Sequence, residues 1–529
     1  MYSRILSGAV CGVRAYMVGV EVDIASGLPS FNMVGSLSGE VRESRERVCV
    51  ALKNAGLSLP PAHITVNLSP ADRRKEGTGF DLPIAVGILQ SMERFSGTVA
   101  RDTLFLGELG LNGELKKVKG VLPIVQEAAK QGIRECIVPV GNAMEGAVIP
   151  GIIVRGAGHI GEVLAYLRGK GEKEKDARAG LGGRQQEEMP GLLPPVKWEP
   201  EGMLEGRGDF LGEDFALVKG QESAKRAAEI AAAGFHNLLM TGPPGVGKSM
   251  IAKCIPGILP PLSLEESLEV TSVLSVAGLL EEGRGLAAER PFCAPHHTLS
   301  QIALMGGGNI PRPGLVSLAH RGVLFLDELP EFQRSTLDSL RQPLEEREVR
   351  IARAGGNITY PADFMLVCAM NPCPCGYYPD AGRCRCTGPQ VKRYLGKISG
   401  PILDRIDLCV ELQALDIRSL RGTERGESSR QIRERVIRAR KRQAQRFAGT
   451  DYRFNGDIRA GDVERFCPLS REGRQCMEDL FQKLKLSARA YHRILKVART
   501  IGDLAGEEHI KKEHLLEAAC YRPASEYWV

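Results

Sequence analysis

The chain has 529 residues, which at roughly 150 residues per domain suggests three or four domains and more than one buried core, with no need for disulfide staples. Hydrophobic residues make up 43% and charged residues 25%, an ordinary globular balance that excludes wholesale disorder and a collagen-like or mucin-like chain. The net charge of +6 permits nucleic-acid binding without arguing for it, and 5% aromatic content is sparse for a protein that reads single strands on aromatic platforms.

Residues 1–168 mix period-two strands (14–24, 63–68, 135–139) with helical stretches (39–55, 121–130), an α+β pattern. The extreme N-terminus alternates like a strand and has no long apolar run, so no signal peptide is expected. No stretch reaches about 18 apolar residues, so no membrane span or membrane partner is expected either. Most of the 14 cysteines stand singly among apolar residues, as small buried hydrophobes do in a reducing compartment, and a cytoplasmic location is expected. Residues 169–207 are dominated by Gly, Pro and charge and read as a linker. Strands and helices alternate over 208–412, the α/β pattern of a parallel sheet. Residues 413–529 read as a helical lid domain, with a very basic stretch at 429–447.

The strongest chemical signal is G-x-x-x-x-G-K-S: Gly242, Pro243, Pro244, Gly245, Val246, Gly247, Lys248 and Ser249, after an apolar strand and before a helix that starts at the lysine. Glycines let backbone N–H groups turn inward around phosphate oxygens, and the helix N-terminus adds partial positive charge. Lys248 is expected to reach the β- and γ-phosphates of ATP, and Ser249 to ligate Mg²⁺. Farther on, the buried strand 323–326 ends in Asp327 and Glu328, expected to hold Mg²⁺ and to activate the attacking water. A third strand, in 364–372, ends in Asn371, suited to orienting that water. Arg405 lies between two aspartates just before another strand. It reads as an arginine offered to a neighbour's γ-phosphate or as half of a local pair with Asp404 or Asp407. Arg489 opens a late helix and reads as a second arginine for that phosphate, with Arg493 one turn on as runner-up.

The order GPPGVGKS, RPFCAPHHTLS, GGGNIPRPGLVSLAHRGVLFLDELPEF, LRQPLEEREVRIARA, CAMNPCPCGYY and SGPILDRIDL resembles the YifB/ComM family of magnesium-chelatase-like AAA+ ATPases across essentially the whole chain. The resemblance implies a Walker A loop at residues 242–249, a Walker B pair at Asp327 and Glu328, sensor 1 at Asn371, an arginine finger at Arg405 and sensor 2 at Arg489. It further implies a homohexameric ring with each site split between neighbours. The expected activity is that of a DNA helicase or branch-migration motor in recombination or natural transformation. Two insertions come with the resemblance: the Gly-, Pro- and His-rich stretch before Walker B, and a β-hairpin around EREVRIARAGGN. By the same resemblance both project toward the ring pore, placing Arg347, Arg350 and Arg353 against DNA for sequence-independent, salt-sensitive contacts. Adjacent His296 and His297 make a poor metal pair, because neighbours on a strand face opposite ways. The alternative reading is an ATP-driven remodelling or chelatase-type motor subunit acting on a protein partner.

Cys373, Cys375, Cys384 and Cys386 are spaced C-x-C, eight residues, C-x-C. Two readings stand side by side, a structural Zn²⁺ site and a set of reduced thiols, with a redox role as a third. Residues 74–89 and 107–132 resemble the Lon-protease-like fold. A Lon-type protease needs a serine nucleophile and a lysine base. Here residues 77–81 hold no serine and the lysine position falls near Leu122, so an inactive scaffold for ring assembly or DNA contact is expected, with Thr78 as a nucleophile the minor alternative.

Overall fold

The computed structural model describes residues 1–96, 100–178, 193–199, 212–352, 357–414 and 426–522. The N-terminal unit is built on a long hairpin. Tyr2–Cys11 pairs antiparallel with Arg14–Ala25, from Tyr2 opposite Asp23 to Cys11 opposite Arg14, around a two-residue turn. Alternation sends Ile5, Val18, Val20 and Val22 inward, where they are fully buried. The hairpin sits inside a seven-stranded mixed sheet in the order Ser30–Val34, His63–Ser69, Arg14–Ala25, Tyr2–Cys11, Thr103–Phe105, Glu135–Pro139, Ile153–Ala157. The helix Asp81–Ser91 is apolar on nearly every side and is accordingly buried almost all round. The helix expected over 39–55 is two, Gly39–Arg42 and Ser44–Asn54, joined at Glu43, which keeps right-handed backbone angles.

The described parts of the expected linker belong to the N-terminal unit, and residues 179–192 and 200–207 lie outside the described residues. The helix Ile160–Arg178 runs well beyond residue 168. Residues 193–199 return to the N-terminal sheet, where Val196 N–H donates to Val154 O at 2.8 Å and Arg155 donates to Leu193 O at 2.5 Å. The cause is the edge strand Ile153–Ala157, whose open backbone groups capture a segment that also brings Leu193, Val196 and Trp198 to apolar cover.

The second unit is a five-stranded, all-parallel sheet in the order Phe292–Cys293, Val323–Leu326, Met365–Met370, Leu238–Thr241, Leu408–Glu411. Both faces are covered, which is why these strands read as unbroken apolar runs. Leu238, Met240, Phe325, Val367 and Val410 face a core completed by C-terminal helix residues Val436, Val497, Ile501 and Leu515. Leu239, Leu324, Leu326, Leu366 and Cys368 face a second core with Leu337, Ile402 and Ile406. The C-terminal helices therefore share a core with the sheet instead of forming a separate one. Asn237 fixes the start of three strands: its side chain accepts from Leu366 N–H at 2.9 Å and donates to Arg405 O at 2.8 Å, and its carbonyl accepts from Leu408 N–H at 3.0 Å.

The basic helix Ser429–Arg446 spends much of its charge internally. Arg435 pairs with Glu229 and Glu427, and Arg446 with Asp503. Arg440 lies 3.7 Å from the centre of the Phe454 ring, a cation–π contact.

An ion network ties the second unit together. Arg321 binds Glu269 at 2.7 Å and also Asp363, while Arg290 binds Glu266 at 2.8 Å. Neutral His320 accepts from Asp363 N–H at Nδ1 (3.1 Å) and faces Glu269 through Nε2 at 3.3 Å. Burial raises the Glu269 pKa, but hydrogen bonds from His320 and Arg321 outweigh it and hold the carboxyl at about 2. Its folded pKa lies below the unfolded value of about 4.3, so its stabilisation is present above that value and is lost as pH falls toward the folded pKa. Glu269→Gln should therefore unfold at a lower temperature than the parent at neutral pH, with the gap closing as pH falls from about 5 toward the folded pKa. Thermal unfolding curves that keep a constant gap across that range would contradict the assignment.

Candidate nucleotide site

Three adjacent strands deliver the site. Thr241 is in register with Met370, and Leu326 with Cys368, so the loop at 242, the carboxylates at 327 and 328, and Asn371 all leave the sheet at its C-terminal edge. Gly247 has φ +96°, a left-handed turn that aims the start of the helix Lys248–Ile258 back at the loop. Lys248 is 8% exposed. Its Nζ donates to Gly242 O at 2.7 Å, Pro243 O at 2.9 Å and Asn371 Oδ1 at 3.0 Å. Burial lowers its pKa, and the charges of Asp327 and Glu328 oppose that. Ser249 Oγ donates to Asp327 Oδ2 at 2.7 Å. Glu328 sits at φ +52°, an unusual angle for a side chain of this size, with its amide on Asp327 Oδ1 at 2.9 Å.

These residues fit ATP and Mg²⁺. A buried ammonium held only by neutral oxygens is a receptor for phosphate oxygens, which bind it more strongly. A hydroxyl beside a carboxylate is an oxygen ligand pair suited to a hard divalent cation.

The arginines lie elsewhere. Arg405 precedes the strand Leu408–Glu411, beside Asn237, and so stands at the N-terminal edge of the sheet. A four-residue strand separates the two edges by about 13 Å. Neither Asp404 nor Asp407 is its partner: Arg405 pairs with Glu345 and donates to Pro401 O at 2.7 Å, leaving a buried Nε without a partner. Arg489 is 73% exposed and binds Asp404 at 2.7 Å, and Arg493 donates to Asp404 O at 2.6 Å. Burial lowers the Arg405 pKa, and the charges of Arg341 and Arg489 add to this. The two predicted arginines thus share one face, remote from their own chain's phosphate loop.

Comparison with known proteins finds relatives along almost the whole chain. The chain is 44% identical to competence protein ComM of Haemophilus influenzae, over 99% of this chain and 97% of that protein. It is 42% identical to the YifB protein of Escherichia coli, over 97% and 96%. The chain belongs to the YifB/ComM family of magnesium-chelatase-like AAA+ ATPases. Residues 214–420 match the family described as magnesium chelatase, subunit ChlI, and 426–522 its ChlI C-terminal family. Residues 20–142 match a family described as subunit ChlI of Mg-chelatase. The magnesium-chelatase 38 kDa subunit of Cereibacter sphaeroides is 28% identical over 30% of this chain and 52% of that protein.

In this YifB/ComM chain the first insertion follows the strand Phe292–Cys293, forms the helix Gln301–Met305 and closes as a short hairpin pairing Gly306–Gly307 with Arg312–Pro313. His297 Nδ1 stands 3.3 Å from Glu328 Oε2, with its ring edge-on to Phe332. Sequence reasoning weighed His297 only as a metal ligand. The missed signal was its place, just past a strand that parallels the Walker B strand.

The second insertion is the hairpin Glu348–Ile351 with Ile358–Pro361. Its basic residues divide. Arg347 is not free for DNA, because Asp457 and Asp363 bind it at the hairpin base. Arg350 is 54% exposed and pairs with Glu348 at 2.5 Å. Arg353 lies outside the described residues. The hairpin also meets the N-terminal unit, for the turn at Gly12 packs against Thr359 and Ile358.

In that N-terminal unit Thr78 donates its hydroxyl to Glu108. Lys117 donates to Leu280 O at 2.6 Å and Lys119 packs on Gly278, so both are docked on the ATPase unit. Leu122 is buried on the helix Val121–Lys130. Among the described residues, no lysine is bonded to Thr78.

His297→Ala should lower kcat for ATP roughly tenfold and leave KM within about twofold, since the imidazole touches the base and not the phosphate loop. An unchanged kcat would remove His297 from the site.

Proposed function

We propose that this chain is an ATP-hydrolysing DNA motor that works in the cytoplasm as a homohexameric ring, serving recombination or DNA uptake as a helicase or branch-migration enzyme. The observation that carries the ring is the placement of Arg405 and Arg489 at the sheet edge opposite their own phosphate loop. An arginine finger so placed serves the adjacent subunit, exchanging its contact with the exposed Glu345 for a phosphate there. The name of the Haemophilus relative, a competence protein, and the exposed Arg350 on its hairpin support DNA as the track. A protein track is the second reading, favoured by Ile302 (63% exposed) and Ile310 (37%) on the first insertion, where an apolar pore grip would sit. In either case the N-terminal unit is a scaffold of Lon-like type.

The chemistry follows from the residues. Lys248 leaves the carbonyls of its loop for the β- and γ-phosphate oxygens. Mg²⁺, held by Ser249 and Asp327, neutralises phosphate charge when bound. Glu328 takes a proton from the attacking water, Asn371 orients that water, and Arg405 of the next subunit stabilises the charge that develops.

Glu328→Gln should bind ATP normally and hydrolyse it at least about 10²-fold more slowly. Normal turnover would remove Glu328 as the base. Arg405→Ala should lose about 10³-fold in turnover while keeping ATP binding, and mixing it with Lys248→Ala, which keeps its arginine, should restore part of the rate. No recovery in mixed rings would refute service between subunits. DNA should stimulate the ATPase in a salt-sensitive way. Hydrolysis indifferent to single-stranded, duplex and branched DNA would favour the protein track.

A further inference from the structure

We propose that Cys373, Cys375, Cys384 and Cys386 hold one zinc ion in a closed tetrathiolate site, and that this metal knuckle braces the phosphate loop. The second half rests on the ATPase reading above; the first does not.

The four sulfurs lie within 4.8 Å of one another. Cys373 is 3.3 Å from Cys375 and 3.8 Å from Cys384, and Cys375 is 3.6 Å from Cys384. Four sulfurs each about 2.3 Å from a central zinc sit at the corners of a tetrahedron with edges of about 3.8 Å. The three spacings among Cys373, Cys375 and Cys384 lie at 3.3–3.8 Å, near that edge length, and Cys386 lies within 4.8 Å of each. A disulfide would instead draw one pair to about 2.05 Å and leave the other pair free to part; all four are free thiols here. An iron–sulfur cluster has to fit several iron and sulfide atoms between its ligands, and this cage is too small.

Backbone amides are aimed at every sulfur. Tyr378 N–H donates to Cys373 Sγ at 3.4 Å. The amides of Tyr377 and Arg385 point to Cys375, that of Cys386 to Cys384, and that of Cys375 to Cys386. Four thiolates around a dication carry a net double negative charge, which such donors offset, and neutral thiols have little need of them. With all four corners filled by protein the ion has no open position, so its role is structural. The tether explains the loop. Residues 371–387 cross from the strand Met365–Met370 to the helix Gly388–Leu395 without regular secondary structure, a length that needs a staple to hold one shape.

The stapled loop touches the nucleotide site twice. Asn371, two residues before the first cysteine, accepts from Lys248 at 3.0 Å. Gly376, between the two C-x-C pairs, lies so close to Pro244 that a Cβ there would fall 2.6 Å from the proline Cδ. The knuckle and the phosphate loop are therefore in direct packing contact, and the ion sets where that contact lies.

The test starts with metal content of the full chain purified under reducing conditions. About one zinc per chain is expected, with the intense visible absorption of a tetrahedral tetrathiolate after exchange for cobalt(II). Cys384→Ser with Cys386→Ser should abolish both, and Cys386→His, which keeps four ligands, should retain zinc. A chain that holds no metal, gives no such cobalt spectrum and exposes four reactive thiols overturns the site; bound iron in place of zinc overturns the assignment of the ion. For the brace, Gly376→Ala keeps every ligand. It should retain zinc and lose about tenfold in kcat. Full turnover in Gly376→Ala, or in the zinc-free double variant, overturns the brace while leaving the metal site in place.

Discussion

The parallel register of Val323–Leu326, Met365–Met370 and Leu238–Thr241 sets where the loop at 242, Asp327, Glu328 and Asn371 leave the sheet. Each strand is four to six residues long, and each hands over at its C-terminal end to residues of the proposed site. A slip of one residue would exchange the two buried faces of a strand and withdraw its functional terminus from the edge. Asn237 opposes such a slip from the far end by bonding the first residues of neighbouring strands, and the same side chain holds the backbone of Arg405. One residue thus relates the edge that holds phosphate to the edge that offers an arginine.

Around this sheet, charge joins parts that the sequence keeps distant. Asp363, which precedes the Asn371 strand, binds both Arg321 before the Walker B strand and Arg347 at the hairpin base, and Arg347 reaches on to Asp457 in the C-terminal unit. The helix Leu264–Ala277 adds Glu266 and Glu269 to the same network and carries Ser275, whose carbonyl accepts from Gly120 N–H of the N-terminal unit at 3.0 Å. Buried ion pairs of this kind contribute little net stability against apolar replacements, but breaking one leaves a buried charge alone. They join the hairpin, the strands Val323–Leu326 and Met365–Met370, and the C-terminal unit by direct contact.

The Walker residues were legible because the reaction dictates their types at short range: glycines for amides that turn inward, a lysine at a helix start, carboxylates at a strand end. The strands themselves were legible because a sheet covered on both faces needs unbroken apolar runs. The basic helix was less so. Its pattern of arginines suits a nucleic-acid face, yet Glu229, Asp503 and Phe454, remote in sequence, take up Arg435, Arg446 and Arg440. Arg347 is taken up in the same way, by Asp457 and Asp363.

The sequence by itself determined the family and proposed the phosphate loop, the carboxylate pair Asp327 and Glu328 and the four cysteines as a site, because each reading rests on residue type and local spacing. Tertiary structure alone decided that Arg405 answers to Glu345 and stands opposite its own loop, that His297 meets Glu328, that Lys117 and Lys119 dock on the ATPase unit, that four sulfurs converge, and that Gly376 among them packs on Pro244. All of these are contacts between segments far apart in the chain. Burial and packing choose such partners, and no local pattern of residues records that choice.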